Sequence, residues 1–408
     1  MQDPAKLQLL TRSSEDSAFE IFEIDSTQAS SRFKPKRRPA AEWDLKRQPR
    51  GIDGSLHFVL KNLRDDRYVL LSAQEFFLWE QFDGRNSLEE IARAFHLAFG
   101  AFDYSLIHGF LNKLYHAGLL DDHQARGPQN ALISPPARTR ADLRHRLVDT
   151  WRRLAFRTSD ADRFCSMVYR CGGFLLFHPF IFWLIVAVAL VAFAAAFRLA
   201  AHSHQFGRLM SAQPLLSTGI ILISLLIASV FHVLIHAIAC KAYGRRVREL
   251  GFFLLQGILP TFYADVTDIF MASRRARLMV DLAGPLVEVV FGSIAMLGAY
   301  LSDPGIGQAI LFGTGVFLWE SALINLYPFS FLELDGYNIL ADLLAMPMLR
   351  KQALALVPNL GQLMRNPSAI QRVELIQIAY LALCLVSVFI YLVLHLDALS
   401  TLLSFSWR

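Results

Sequence analysis

Two histidines one helical turn apart are the residues of this chain best suited to do chemistry. They stand in the stretch F-H-V-L-I-H-A-I-A-C-K-A-Y-G as His232 and His236. Residues at i and i+4 share a helix face, so both imidazoles can address one point. The stretch closes a long apolar run, and paired imidazoles at the edge of a membrane span make a candidate metal clamp. A zinc peptidase written H-E-x-x-H carries glutamate after the first histidine as its general base. Here that residue is Val233. A catalytic zinc takes three protein ligands and keeps one position open. Asp335 is the candidate third ligand. It follows Asn325-Leu326-Tyr327-Pro328, a break that unwinds a span and lets the carboxylate turn inward. Alone, H-x-x-x-H is a weak signal, since helix neighbours often satisfy both rings. A desaturase-type site needs further histidine boxes, and the spans hold none.

The elements that must position these residues follow from composition. Of 408 residues, 54% are hydrophobic and 18% charged, against about 25% charged in an ordinary soluble domain. The excess is uneven: residues 1–170 are polar, and most of 173–404 is apolar. Runs near 176–198, 216–239, 278–301, 306–328 and 374–396 have the length a bilayer core requires. The segment 241–277 holds seven Lys and Arg residues, whereas 199–214 holds only Arg208. The positive-inside rule therefore puts 241–277, and the N-terminal part with it, on the cytoplasmic side. The net charge of +5 reads as this loop bias. No basic stretch alternates with aromatics as a nucleic-acid surface would. The N-terminal MQDPAKLQLLTRSSED lacks an apolar core, so no cleaved signal peptide is expected. Cys165, Cys171, Cys240 and Cys384 form no C-x-x-C pair and read as isolated thiols. Two pieces interrupt the spans. GFFLLQGILPTFY (251–263) is too short to cross and predicts a re-entrant loop or hairpin at the membrane edge. LELDGYNILADLL (332–344) brings carboxylates to membrane depth, where they need a partner or a cation.

The polar half predicts four pieces in all, counting the membrane part at 173–408. Residues 1–51 read as a flexible basic lead-in, because the run 32–50 carries three prolines and many like charges. Residues 52–122 predict a compact α+β module. HFVLKNLRDDRYVLLS gives a hairpin, Ser72–Glu75 and Ser87–Glu90 give capping boxes, and YSLIHGFLNKLYHAGLL gives a third helix. Residues 123–172 read as a basic interfacial connector.

Two resemblances follow from these residues. The order Y-V-L-L-S, F-F-L-W, D-G-R-x-S-L-E-E-I, L-x-K-L-Y-H-A-G-L-L resembles the PqqD-like winged-helix domains. That resemblance implies recognition of a leader peptide added as a strand to the hairpin edge. H-x-x-x-H-A-x-A-C-K-x-Y-G-x-x-V-R-E-x-G-F, F-Y-A-D-V-T-D-x-x-x-A-S-R-R-A-R-x-x-V-x-L-A-G-P and N-L-Y-P … L-E-L-D-G-Y-x-I-L-A-D-L-L resemble the bacterial peptide zinc metalloproteases of the site-2 protease class, over most of 215–350. The implied fold is mainly α, a polytopic membrane domain of about five spans behind a small α+β domain. The implied cofactor is Zn2+, held by His232, His236 and Asp335. Asn325 and Pro328 match the break before the third ligand, Gly284-Pro285 matches the motif that lets spans pack closely, and Gly336 follows the ligand. The implied setting is the bacterial inner membrane, with a peptide substrate and, in an export or immunity system, a membrane-fusion partner of the HlyD type.

The chain departs from that pattern twice. Pro328 to Asp335 is longer than usual, which leaves Glu333 as a competing carboxylate. Val233 removes the general base, worth about 10²–10⁴-fold in rate. Three readings stay open: a pseudo-protease that binds peptide, a weak or rescued protease, or an altered residue in an active enzyme. Candidate stand-ins are Glu333, Asp265, Asp268, Glu288 and Glu320. Asp281, Glu288 and Glu320 lie inside spans, lining a hydrated path to the metal or pairing with Arg274–Arg277.

Overall fold

The computed structural model describes residues 6–11, 20–25, 33–100, 104–121, 156–158, 160–255, 259–365 and 371–405. The chain divides into two compact units: residues 1–50 with 55–142, and residues 51–54 with 143–408.

In the first unit, β1 (Lys6–Thr11) and β2 (Glu20–Asp25) pair antiparallel. A second sheet runs in the order β3 (Trp43–Arg47), β4 (His57–Asn62), β5 (Arg67–Ser72), antiparallel throughout. Helices α1 (Ala73–Gln81), α2 (Leu88–Phe99) and α3 (Tyr104–His116) follow. Ser72 and Ser87 each close a reciprocal capping box, with Glu75 and Glu90 respectively. Each box satisfies two of the orphan donors at a helix start. Phe58, Leu60, Leu71, Leu78, Phe82 and Phe110 form the core. Asn62 is fully buried and ties the sheet to the end of α3, donating to the Ala117 carbonyl at 2.9 Å.

The basic lead-in corrects the sequence reading. From residue 33 onward it belongs to this unit. Trp43 and Leu45 face the core while Asp44, Lys46 and Arg47 face out, a period-two pattern that seats β3 on β4. Arg37 stacks over both Trp43 and Trp79, its guanidinium 5.7 Å from each ring, and its backbone N–H donates to Phe82. Charge alone therefore did not make this segment a linker. Of the expected connector, residues 122–155 lie outside the described residues.

In the second unit, β6 (Phe156–Thr158) precedes α4 (Ala161–Arg170), α5 (Pro179–Leu199), α6 (Ser203–Ala212) and α7 (Pro214–Ala242). The apolar piece after α7 forms a hairpin, β7 (Leu250–Leu255) with β8 (Leu259–Ala264), and β6 completes the sheet beside β7. Then come α8 (Arg274–Leu301), α9 (Ile306–Leu326), α10 (Asp335–Leu344), α11 (Leu349–Leu356), α12 (Leu360–Arg365) and α13 (Arg372–Phe405). Among the described residues, five helical stretches are long and apolar enough to cross a membrane: 179–212, 214–242, 274–301, 306–326 and 372–393. Their outward faces carry Phe180, Trp183, Phe193, Phe197, Leu222 and Ile223, side chains that water would not cover. The structure is that of a multi-pass membrane protein.

Helix α8 is the hub of this unit, with α5, α7, α9 and α10 packed on it. Small residues permit the close approach. A methyl at Gly292 would lie 2.5 Å from Trp319, and one at Gly315 would lie 3.1 Å from the Gly292 carbonyl. The end of α7 is braced from the other side by α4. Ala161 and Cys165 bury themselves against Ala237 and Cys240. Asp162 accepts from Lys241 Nζ at 2.8 Å and from the Val247 N–H at 2.9 Å. Burial opposes its charge, but the Lys241 and Val247 hydrogen bonds outweigh it and hold the carboxyl below the usual range. Burial pushes the Cys165 thiol up to about 11, so it stays protonated.

Candidate metal centre

Helix α7 delivers His232 and His236 on one face, their rings 4.8 Å apart. The residue that meets them begins α10. The chain leaves α9 at Leu326, turns through Tyr327 and Pro328, and re-enters a helix at Asp335. That turn is held in place. Arg350 donates to the Phe331 carbonyl at 2.7 Å, and the Tyr380 hydroxyl donates to the Ser330 carbonyl at 2.6 Å. Gly336 is needed at the junction, because a methyl there would lie 2.2 Å from the Leu326 carbonyl oxygen. The far end of α10 is fixed to α8. Arg277 Nε donates to Asp342 Oδ2 at 2.8 Å, and Arg274 donates to the Leu343 carbonyl at 2.7 Å.

These constraints bring three ligand atoms together. His232 Nε2 and His236 Nε2 are 3.0 Å apart. Asp335 Oδ2 lies 3.1 Å from the first and Oδ1 lies 3.5 Å from the second. Neighbouring ligand atoms around a tetrahedral zinc are separated by about 3.3 Å, given bond lengths near 2.0 Å. The outer nitrogens are engaged as well. His236 Nδ1 is 2.7 Å from the Val280 carbonyl oxygen, which requires an N–H at Nδ1 and leaves the Nε2 lone pair facing inward. His232 Nδ1 lies 3.2 Å from Glu288 Oε1, off the ideal hydrogen-bond angle, and Asn325 Nδ2 donates to both oxygens of Glu288 at 3.1 Å. Gly284 makes room: a methyl there would fall 2.2 Å from His236 Nε2 and 2.6 Å from His232 Nε2.

The electrostatics favour a cation. Asp335 lies beyond the candidate spans. Glu288 is 4% exposed. Among the described residues, no lysine or arginine pairs with either carboxylate. Two carboxylates and two imidazoles at this depth are balanced by one divalent ion, so the donor set fits zinc.

The other candidates are dispersed. Glu333 faces outward and pairs with Arg350 at 2.5 Å, so it does not compete with Asp335. Asp265 pairs with Arg248 at 2.9 Å, and Asp268 accepts from the Arg246 N–H at 3.0 Å. Glu288, a candidate stand-in for the base, touches His232 on the side away from Asp335. Asn325 acts through Glu288, a role its place in the Asn-to-Pro break did not signal. The spacing Gly284 to Glu288, one turn along the helix face that meets the histidines, was the available clue.

A stretch of 129 residues is 27% identical to "Putative peptide zinc metalloprotease protein YydH" of Bacillus subtilis (strain 168), covering 31% of this chain and 48% of that protein. The chain thus matches about half the length of that curated relative. No family model and no solved structure matches the chain. A distant relative named for zinc and proteolysis, together with five apolar helices, fits a membrane metallopeptidase-like protein.

Proposed function

We propose that this chain is a membrane-embedded zinc protein of the site-2 peptidase type that acts on a peptide at the cytoplasmic face of a bacterial inner membrane. The observation that carries the reading is the convergence of His232 Nε2, His236 Nε2 and the Asp335 carboxylate at 3.0 to 3.5 Å from one another. These three residues would hold the ion, and a bound zinc polarises a carbonyl and acidifies water. The Val280 carbonyl orients the His236 ring and keeps its Nε2 lone pair inward, and Glu288 lies against His232 Nδ1 at 3.2 Å. The motif resemblance over 215–350 supports the site-2 class, and so does the named relative.

The small sheet with its three helices supports a PqqD-like role for the first unit, binding a leader peptide as an added strand. A membrane-fusion export partner fits the same system. A second reading is favoured by one residue. Val233 carries no proton, so the chain can equally be a catalytically dead relative that binds peptide without cutting it.

The test is metal content followed by cleavage. Purified protein should hold about one zinc per chain, lost in His236→Ala; metal-free protein overturns the reading. If the unchanged chain cuts a co-encoded peptide and His236→Ala does not, it is a peptidase. If only Val233→Glu cuts, it is the dead relative.

A further inference from the structure

One carboxylate beside the candidate centre has no task yet. It is Asp281, half-buried on α8. Three contacts define the face of α8 turned toward the histidines. The Val280 carbonyl meets His236 Nδ1 at 2.7 Å, a methyl at Gly284 would crowd both Nε2 atoms, and Glu288 reaches His232 Nδ1 at 3.2 Å. Asp281 follows Val280 directly and precedes Gly284 by one turn, about 60° around the helix. That is the level of His236. The charged groups that act on Asp281 are Asp335, Asp342 and Arg277, and Arg277 is already bonded to Asp342. Among the described residues, no hydrogen bond or ion pair reaches the Asp281 carboxylate. Four residues later Pro285 has no N–H to donate, so the Asp281 main-chain carbonyl also loses its helical partner. A carboxylate and a carbonyl, both acceptors, thus share one residue of the helix that faces the ligand set. Acceptors at this depth are costly unless water or substrate meets them. The rival carboxylates Glu333, Asp265 and Asp268 are held by Arg350, by Arg248 and by the Arg246 N–H, Glu288 is engaged behind His232, and Glu320 on α9 is not free either.

We infer that Asp281 supplies the proton-carrying carboxylate that Val233 cannot, acting from α8 where H-E-x-x-H peptidases act from the histidine helix. The inference rests on the zinc-peptidase reading above. In hydrolysis, water loses a proton to an Asp281 carboxylate oxygen as its oxygen bonds to the peptide carbonyl carbon. The carbon–nitrogen bond then breaks, and the same proton passes from Asp281 to the leaving nitrogen. A carboxylic acid and an amine result, and Asp281 returns to its ionised form.

The experiment reads ligand affinity as well as turnover. A hydroxamate chelates zinc through two oxygens and offers a proton to the neighbouring carboxylate. Full-length protein in nanodiscs, loaded with zinc, is titrated with acetohydroxamic acid. Asp281→Asn should keep its zinc but weaken acetohydroxamate by at least about tenfold, the scale of one lost charge-assisted hydrogen bond. Asp281→Glu should restore affinity to within about threefold, and Val233→Glu should rescue the Asp281→Asn protein. If Asp281→Asn keeps zinc and binds acetohydroxamate within about twofold of the unchanged protein, the inference fails. If Asp281→Asn loses zinc, Asp281 belongs to the scaffold or the ligand set, and the inference fails again. Zinc missing from the unchanged protein would instead overturn the reading beneath it.

Discussion

Replacing Gly284 by alanine probes the candidate centre with a single methyl group. The new carbon would sit 2.2 Å from His236 Nε2 and 2.6 Å from His232 Nε2. Ordinary carbon–nitrogen contacts begin near about 3.4 Å, so the rings or the helix must give by about 1 Å. Neither has that freedom. The His236 ring is held by the Val280 carbonyl one turn away on the same helix, and α8 is buried among four neighbours. Zinc sites tolerate ligand displacements of about 0.2 Å. Loss of an outer partner alone costs about 10–100-fold in metal affinity, so displacing two ligands should cost at least about 100-fold. The assay is zinc stoichiometry of purified protein, with competition against a chromophoric chelator. Gly298→Ala on the same helix is the control, because its methyl meets only Leu311 at 3.6 Å. Zinc affinity of Gly284→Ala within about threefold of the unchanged protein would refute the claim that this glycine clears space for an ion.

Three further outcomes follow from the same contacts. Glu288→Gln should lower zinc affinity by about 10–100-fold while leaving the helices assembled, read by chelator competition and circular dichroism. Arg277→Met leaves Asp342 buried without its partner and should destabilise the second unit by about 3–5 kcal/mol, read as an earlier unfolding midpoint in detergent. Asp162, held below the usual carboxylate range, stabilises the α4 brace at neutral pH and loses that contribution as pH falls through its lowered value. Hydrogen-exchange protection in residues 161–170, taken relative to the intrinsic rate at each pH, should therefore fall in acid, and Asp162→Asn should flatten that dependence.

Local signals were the legible ones. The capping boxes at Ser72 and Ser87 need only neighbours in sequence, and both form. The five apolar stretches are set by length and hydropathy alone, and five candidate spans appear. The pair His232 and His236 needed only the helical period, and a conspicuous break after α9 marked Asp335. What was hidden depends on packing between elements. Trp43 and Leu45 read as part of a charged lead-in because their core lies on strands and helices further along the chain. Glu288 and Asp281 share a helix, and hydropathy made them equally unwelcome there. Only the docking of α7 and α10 on α8 turns one toward the back of His232 and leaves the other next to Val280, whose carbonyl meets His236. Val233 was legible at once, but its consequence was not, since a replacement can come from any facing element.

Asp335 is the first residue of its helix and a candidate ligand to an ion whose other partners lie about a hundred residues earlier. An ion bound there would staple a loop of that length, much as a disulfide does, and loop closures of this size are worth about 4–5 kcal/mol. It also sets an order of events during synthesis. The histidines enter the bilayer with the second span and wait, incomplete, while two more spans and the Pro328 turn are made. Metal capture would therefore be a late step in biogenesis, and a chain truncated before Asp335 would insert its first four spans with the histidine pair still lacking its third partner.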